Sequence, residues 1–228
     1  MTDEHLRCET AAPPRRSQVA LRLLQLIAGL FGWALGIALF IRSHLGLGPW
    51  DAFHYGVHLQ TGITVGMASI LAGLVIIVAN LLLRVRPGVA TVLNMILIGA
   101  FTDLLLPVIP DAPSLLVAAA YFAGAIPLVG LSSGMYIGAG FGHGPRDGLM
   151  MALTLRTGWS VRAIRTLIEL SVLVLGWAMG GTVGIGTVIV TLTIGQSVQW
   201  GLRLFGAAPP ASEARSRLSF SRRLRRAA

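Results

Sequence analysis

Apolar runs of membrane-spanning length constrain this chain more than any motif in it. The run from about Leu23 to Ile41 falls within the roughly 17 to 25 residues that cross a bilayer as a helix. Six such spans can be drawn, at 20–41, 64–83, 88–108, 114–137, 161–180 and 184–205. Only 12% of residues are charged, against about a quarter in a soluble domain, and the mean hydropathy is +0.75. The expectation is an all-α polytopic membrane protein.

The net charge of +9 would suit a nucleic-acid binder if the basic residues formed one folded face. They do not. The arginines lie in the two ends of the chain and in short connections, a topology signal in a membrane protein, and no nucleic-acid partner is expected. Residues 1–18 read as a cytoplasmic basic tail and 208–228 as a cytoplasmic Arg-rich tail, both suited to anionic lipid. Arg15, Arg16 and Arg22 before the first apolar run resemble the start of a secretory signal. The run is longer than a signal's 7 to 15 residues and no A-x-A-like site follows, so it reads as a retained span. With the N-terminus inside, the connections holding Arg84 and Arg86, and Arg146, Arg156, Arg162 and Arg165, also lie inside, as does the C-terminal tail. Arg42 alone is left outside. The expected location is a bacterial plasma membrane, multi-pass, with both termini cytoplasmic.

The chain also contains itself twice. Residues 46–104 align on 142–200 at an offset of 96 without a gap, with 16 identities in 59 positions. The informative matches are Gly, Pro, Asp and Thr, because apolar sequences agree by accident at Leu and Val. Gly46, Gly48, Pro49 and Asp51 fall on Gly142, Gly144, Pro145 and Asp147, and Thr61-Gly62 on Thr157-Gly158. Such internal repeats fix architecture. Each copy holds three spans, so the second enters the membrane from the opposite side. The expected fold is two inverted three-span repeats, 20–110 and 113–206, a plan that in secondary transporters puts substrates at the repeat interface.

Between the first and second spans of each copy lies a piece with its own punctuation. Gly-Pro-x-Asp is a helix start, with Pro in the first turn and an acid near the positive end of the dipole. Thr-Gly is a helix stop, since Gly takes the left-handed conformation. The dozen or so residues between them give a helix of about 18 Å, too short for about 30 Å of hydrocarbon. Each repeat therefore carries a half-helix.

The segments GLGPWDAFHYGV, TGITVG, RPGVATVLNMILIG, GPRDGLMMAL, RTGWSVRAIRTLIE and GWAMGGTVGIGTVIV resemble, in order and spacing, the YitT/YczE group of bacterial integral membrane proteins, and most closely its YczE branch. The resemblance covers roughly residues 20–205 and implies a polytopic plasma-membrane protein. It implies no particular activity.

Candidate site residues gather on the half-helices. Asp51 and Asp147 are ion or substrate contacts in one reading and first-turn dipole partners in the other. Gly48, Pro49, Gly144 and Pro145 bring backbone close to whatever lies at the helix starts. Trp50 and its repeat mate Arg146 follow, the first an interfacial aromatic or a site wall, the second an anion partner or a topology determinant. His54 and His58 stand three and seven residues after Asp51, on one helical face. With His44 nearby they suggest a metal or proton site, but the ligand set is incomplete, and no metal is expected. Glu169, inside the fifth span and one turn after Arg165, is either a coupling carboxylate or an ion-paired structural acid. Thr64 caps the second span, and Asp103 and Asp111 are expected to be solvated at the outer face.

No catalytic residue or cofactor is expected. Cys8 lies in a tail, no His-x-x-x-His pair lies on a span, and no nucleotide-binding loop is present. The reading is a secondary transporter-like carrier of a small, unidentified solute bound at the repeat interface. The alternative is a non-transporting membrane protein that binds or regulates a partner complex. Whether the chain associates with itself or with another protein stays open at this point.

Overall fold

The computed structural model describes residues 16–84, 88–141 and 144–206, and the tails expected at 1–18 and 208–228 fall almost wholly outside them. The described residues form eight helices: α1 (Arg16–Ser43), α2 (Pro49–Thr61), α3 (Val65–Leu82), α4 (Val89–Leu105), α5 (Leu115–Gly138), α6 (Pro145–Thr157), α7 (Val161–Ala178) and α8 (Ile185–Leu204). Both 13-residue half-helices are present. α2 shifted by 96 is α6, and α3 shifted by 96 is α7, residue for residue at both ends.

The coincidence has local causes. Gly48 and Gly144 take the same extended conformation, φ −63°, ψ 161° and φ −65°, ψ 163°, before a proline in the first turn. The missing proline N–H removes nothing there, because first-turn donors have no intrahelical partner. At the other end Gly62 and Gly158 adopt φ 75° and 69°, and their N–H groups return to the His58 and Thr154 carbonyls. The preceding threonines are as necessary as the glycines. Thr61 and Thr157 donate to the Val57 and Leu153 carbonyls at 2.7 and 2.8 Å, and their hydroxyls accept from the N–H of Ile63 and Trp159. Thr64 and Ser160 then cap α3 and α7, accepting from Met67 and Ala163 at 3.2 Å. Before α4 and α8, the N–H of Gly88 and of Gly184 donates to the Thr91 and Thr187 hydroxyls, each at 3.2 Å.

Helices α1 and α5 pack on each other at the centre, α4 lying against α1 and α8 against α5. The α1–α5 seam is made by Gly29, Gly32 and Gly36 against Val129, Ser132 and Tyr136. On the far side of α5, Gly130 and Gly134 meet Ser197 and Gly201 so closely that a Cβ on any of the three glycines would stand within 3 Å of a neighbouring backbone atom. Small residues let membrane helices approach, since apolar area drives little association in lipid. Each half-helix packs on the other half of the chain, α2 on α7 and α6 on α3. Where α2 crosses α7, Ala52 lies on Gly176. Where α6 crosses α3, Gly148 lies on Asn80. These are the same two positions of the repeat with the halves exchanged.

Helices α1 (over Val19–Ser43), α3, α5 and α8 are long and apolar enough to cross a membrane by length and composition. The six expected spans include two that fall short of that measure: α4 has 17 residues, and α7 carries Arg162, Arg165 and Glu169 in its first half. Large apolar side chains cover the outer faces of the long helices, among them Val75 at 69% and Leu192 at 74% exposure. Exposure on that scale is normal only where a surface meets lipid or a partner.

Asp103 and Asp111 are not merely solvated. Asp103, near the end of α4, accepts from the Thr64 hydroxyl at 2.5 Å and the Gly66 N–H at 2.7 Å, and so caps the start of α3 from a different helix. Asp111 pairs with Arg42 and His44, each at 2.9 Å. Arg42 also donates to the Leu106 carbonyl, and its own carbonyl accepts from Ala112. Together these tie the connection after α4 to the end of α1.

Candidate functional site

The chain leading into α2 is held open by backbone pairing. The N–H of Leu47 donates to the Thr182 carbonyl at 3.1 Å, and that of Gly186 to the Leu45 carbonyl at 3.0 Å. Gly46, at φ 134°, and Gly184 permit this contact, for a Cβ on either would collide with the opposite backbone. The glycine-rich GGTVGIG segment thus docks another loop at close range.

From this support the first turns of α2 and α6 come together. The Arg146 guanidinium, on the second residue of α6, lies 4.2 Å from the centroid of the Trp50 ring, on the second residue of α2. That is well inside the roughly 6 Å range of a cation–π contact. The charge of Arg146 also acts on Asp51 and His54. The Asp51 carboxylate folds back toward its own helix start, with Oδ2 3.4 Å from where a Cβ on Gly48 would be. This is the geometry of a dipole partner. Asp147 occupies the matching third position of α6.

His54 lies next to Trp50, its ring centroid 6.3 Å from that of Trp50 and 6.0 Å from that of Phe53. It is 2% exposed, and its Nε2 has no hydrogen-bond partner. Asn80 approaches from α3. Its Nδ2 donates to the Pro145 carbonyl at 2.9 Å, while Oδ1 is buried and unpartnered. Asn80 was not among the candidates read from the sequence, although an amide in an otherwise apolar span was a usable signal.

The structure thus links the first turn of α2, with Gly48, Pro49, Trp50 and Asp51, to that of α6, with Gly144, Pro145 and Arg146, through the Trp50–Arg146 contact, with His54 next to Trp50 and Asp147 at the third position of α6. It does not bring in Glu169, which pairs with Arg165 at 2.9 Å on α7. His58 turns away as well, its Nδ1 lying 2.6 Å from the Ile63 carbonyl, and His44 is engaged with Asp111. Among the described residues no three His, Cys, Asp or Glu side chains gather to hold a metal.

Comparison with known proteins agrees with the resemblance noted in the sequence. "Uncharacterized membrane protein YczE" of Bacillus subtilis (strain 168) is 38% identical over 189 residues, 82% of this chain and 88% of that protein. An "Uncharacterized protein" of Haemophilus influenzae is 32% identical over 77% of this chain and 80% of its own length. "Uncharacterized protein YyaS" of Bacillus subtilis is 30% identical over 71% and 82%. No solved structure matches significantly. A family model described as "Family of unknown function (DUF6198)" matches residues 20–203, from the first turns of α1 to the end of α8. The chain is a helical membrane protein belonging to that family, in its YczE-like branch.

Proposed function

We propose that this protein is a transporter-like carrier, not an enzyme, which binds a small solute between the first turns of α2 and α6 at the interface of two inverted repeats. The observation that carries this reading is the Arg146–Trp50 contact next to a buried His54 whose Nε2 has no hydrogen-bond partner. It joins the first turns of two short helices, and carriers use such helix starts, with their positive dipole ends, against charged groups of a solute.

Inversion is supported by how the halves touch. Ala52 meets Gly176 as Gly148 meets Asn80, and Leu45 meets Gly184 as Phe141 meets Gly88. Trp50 meets its own repeat mate, Arg146. Reciprocal contacts, with equivalent positions in contact near an axis, are the signature of two-fold relation. With three spans per repeat such an axis would lie in the membrane plane, and the arginine distribution supports a cytoplasmic location for both termini.

The test is a thermal-stability screen of the purified protein in detergent against a broad solute panel, with Asp51→Asn and Asp147→Asn alongside. A solute at 100 times its dissociation constant stabilises by about 2.7 kcal/mol. The expected result is a solute that stabilises the parent but neither variant and moves across proteoliposomes bearing the parent. Absence of binding and flux across all solute classes overturns the carrier reading.

A further inference from the structure

Helices α3 and α7 begin alike and are used differently. Each has 18 residues and follows a Thr-Gly stop and a Thr or Ser cap. α3 then packs along α4, where Gly66 meets Gly99 and Asp103, Ile70 meets Gly99, and Gly73 meets Met95. The repeat mates of Gly66, Ile70 and Gly73 are Arg162, Thr166 and Glu169. A Cβ on Gly66 would strike the Gly99 carbonyl, and one on Gly73 the Met95 side chain, so α7 cannot close on α8 as α3 closes on α4. The two helices hardly touch, and Gly195, the mate of Gly99, meets nothing within 4 Å. Gly66 and Gly73 are buried, whereas Arg162 and Thr166 are exposed.

The face left uncovered is basic at one end and apolar beyond. Arg162, Arg165, Thr166 and Glu169 are spaced i, i+3, i+4 and i+7, on one side of α7. Glu169 accepts from Arg165 Nε at 2.9 Å, and the Arg165 side chain stays 58% exposed. Just before α7, Trp159 is 56% exposed, as aromatic rings at the headgroup level of a bilayer are. Leu170 and Val174 follow Thr166 at four-residue steps and are exposed too. In the first repeat Ile63, Gly66 and Ser69 stand in place of Trp159, Arg162 and Arg165, on a corner with the same αL glycine and the same kind of cap. The corner therefore folds without the tryptophan and the arginines.

We infer that the uncovered start of α7 holds an anionic phospholipid, its phosphate on Arg162 and Arg165 and an acyl chain along Leu170 and Val174. Charge selects this occupant. Two arginines against one glutamate leave one positive charge uncancelled on this face, which a single phosphodiester balances. A packed helix would have to bury those arginines, at a desolvation cost, whereas a headgroup keeps them at the water interface. Basic clusters between spans on the cytoplasmic side hold anionic headgroups in this way, and the orientation proposed above puts this corner on that side. The site lies apart from the α2–α6 contact and does not depend on the carrier reading.

The test is native mass spectrometry of the full chain in neutral detergent, titrated with phosphatidylglycerol and with phosphatidylcholine of the same acyl chains. Phosphatidylglycerol should bind saturably and more tightly than phosphatidylcholine by about tenfold, the worth of one hydrogen bond to a charge. Arg162→Gln should remove most of that preference, and Arg162→Lys, which keeps the charge, should retain most of it. Arg222→Gln combined with Arg223→Gln, in the Arg-rich tail, should leave it unchanged. Should Arg162→Gln fail to accumulate, Arg165→Gln supplies the same comparison. Equal affinity for the two lipids overturns the inference. So does a preference that Arg162→Gln and Arg165→Gln both retain, or one lost in the tail variant instead, which would place the lipid on the tail. Displacement of bound phosphatidylglycerol by inorganic phosphate alone would overturn the acyl-chain contact along Leu170 and Val174.

Discussion

The contact between Arg146 and Trp50 has a measurable energy. At 4.2 Å from centroid to guanidinium, with both residues half-buried, it lies between the roughly 0.5–1 kcal/mol of exposed cation–π pairs and the 2 kcal/mol or more of desolvated ones. A value of about 1–1.5 kcal/mol follows. Single substitutions will not report it cleanly. Trp50→Ala also removes the ring that covers His54, and Arg146→Gln also removes the charge acting on Asp51. A double-mutant cycle cancels those losses, because each occurs equally with and without the partner. Unfolding free energies of the parent, both single variants and the double variant, from reversible denaturation in detergent, should give a coupling of about 1–1.5 kcal/mol. Additivity within about 0.3–0.5 kcal/mol, the spread of independent sites, would refute the claim that the two half-helix starts meet through this pair.

Three further outcomes follow from the packing. Asp103→Ala removes an ionic acceptor from the Thr64 hydroxyl and the Gly66 N–H; at about 1.5–3 kcal/mol per bond to a charge, reduced for partial exposure, about 2–3 kcal/mol should be lost, with Asp103→Asn in between, and an unchanged melting temperature would contradict this. Gly201→Leu sets a side chain against the Gly130 carbonyl and should lose at least the roughly 1–3 kcal/mol of overpacking, whereas Gly195→Leu on the same helix meets nothing within 4 Å and should melt close to the parent. His44 and Arg42 hold the Asp111 carboxyl below its usual range by hydrogen bonding, so the folded state binds that proton less readily than the unfolded chain. The stability contributed is therefore present above the ordinary aspartate range and lost as pH falls through the folded value, and Asp111→Asn should flatten melting temperature against pH in that acid window.

What the sequence reveals of this fold is mostly what neighbouring residues decide among themselves. Gly-Pro and Thr-Gly carry their consequences within one turn, so both half-helices and their ends were legible from spacing alone. The same holds for the Thr64 cap and the Arg165–Glu169 pair, four residues apart on one helix. Asp103 was misjudged because its partners are 37 and 39 residues away, where no local rule reaches. Asn80 was passed over for the same reason, since its role depends on the first turn of α6. The Arg146–Trp50 contact is an intermediate case. The two residues are repeat mates 96 positions apart, and the proposed two-fold relation, with its axis near the half-helix starts, is what would bring such mates together.

Inversion of the two repeats is the claim on which the rest depends, and sidedness tests it most directly. Gln60 and Arg156 occupy the same repeat position near the ends of α2 and α6, and both are exposed. With Cys8, the single native cysteine, replaced by serine, Gln60→Cys and Arg156→Cys can be labelled with a membrane-impermeant thiol reagent in right-side-out and inside-out vesicles. The account expects opposite behaviour, with Gln60→Cys labelled from outside and Arg156→Cys from inside. Labelling of both from the same side would contradict the inverted arrangement.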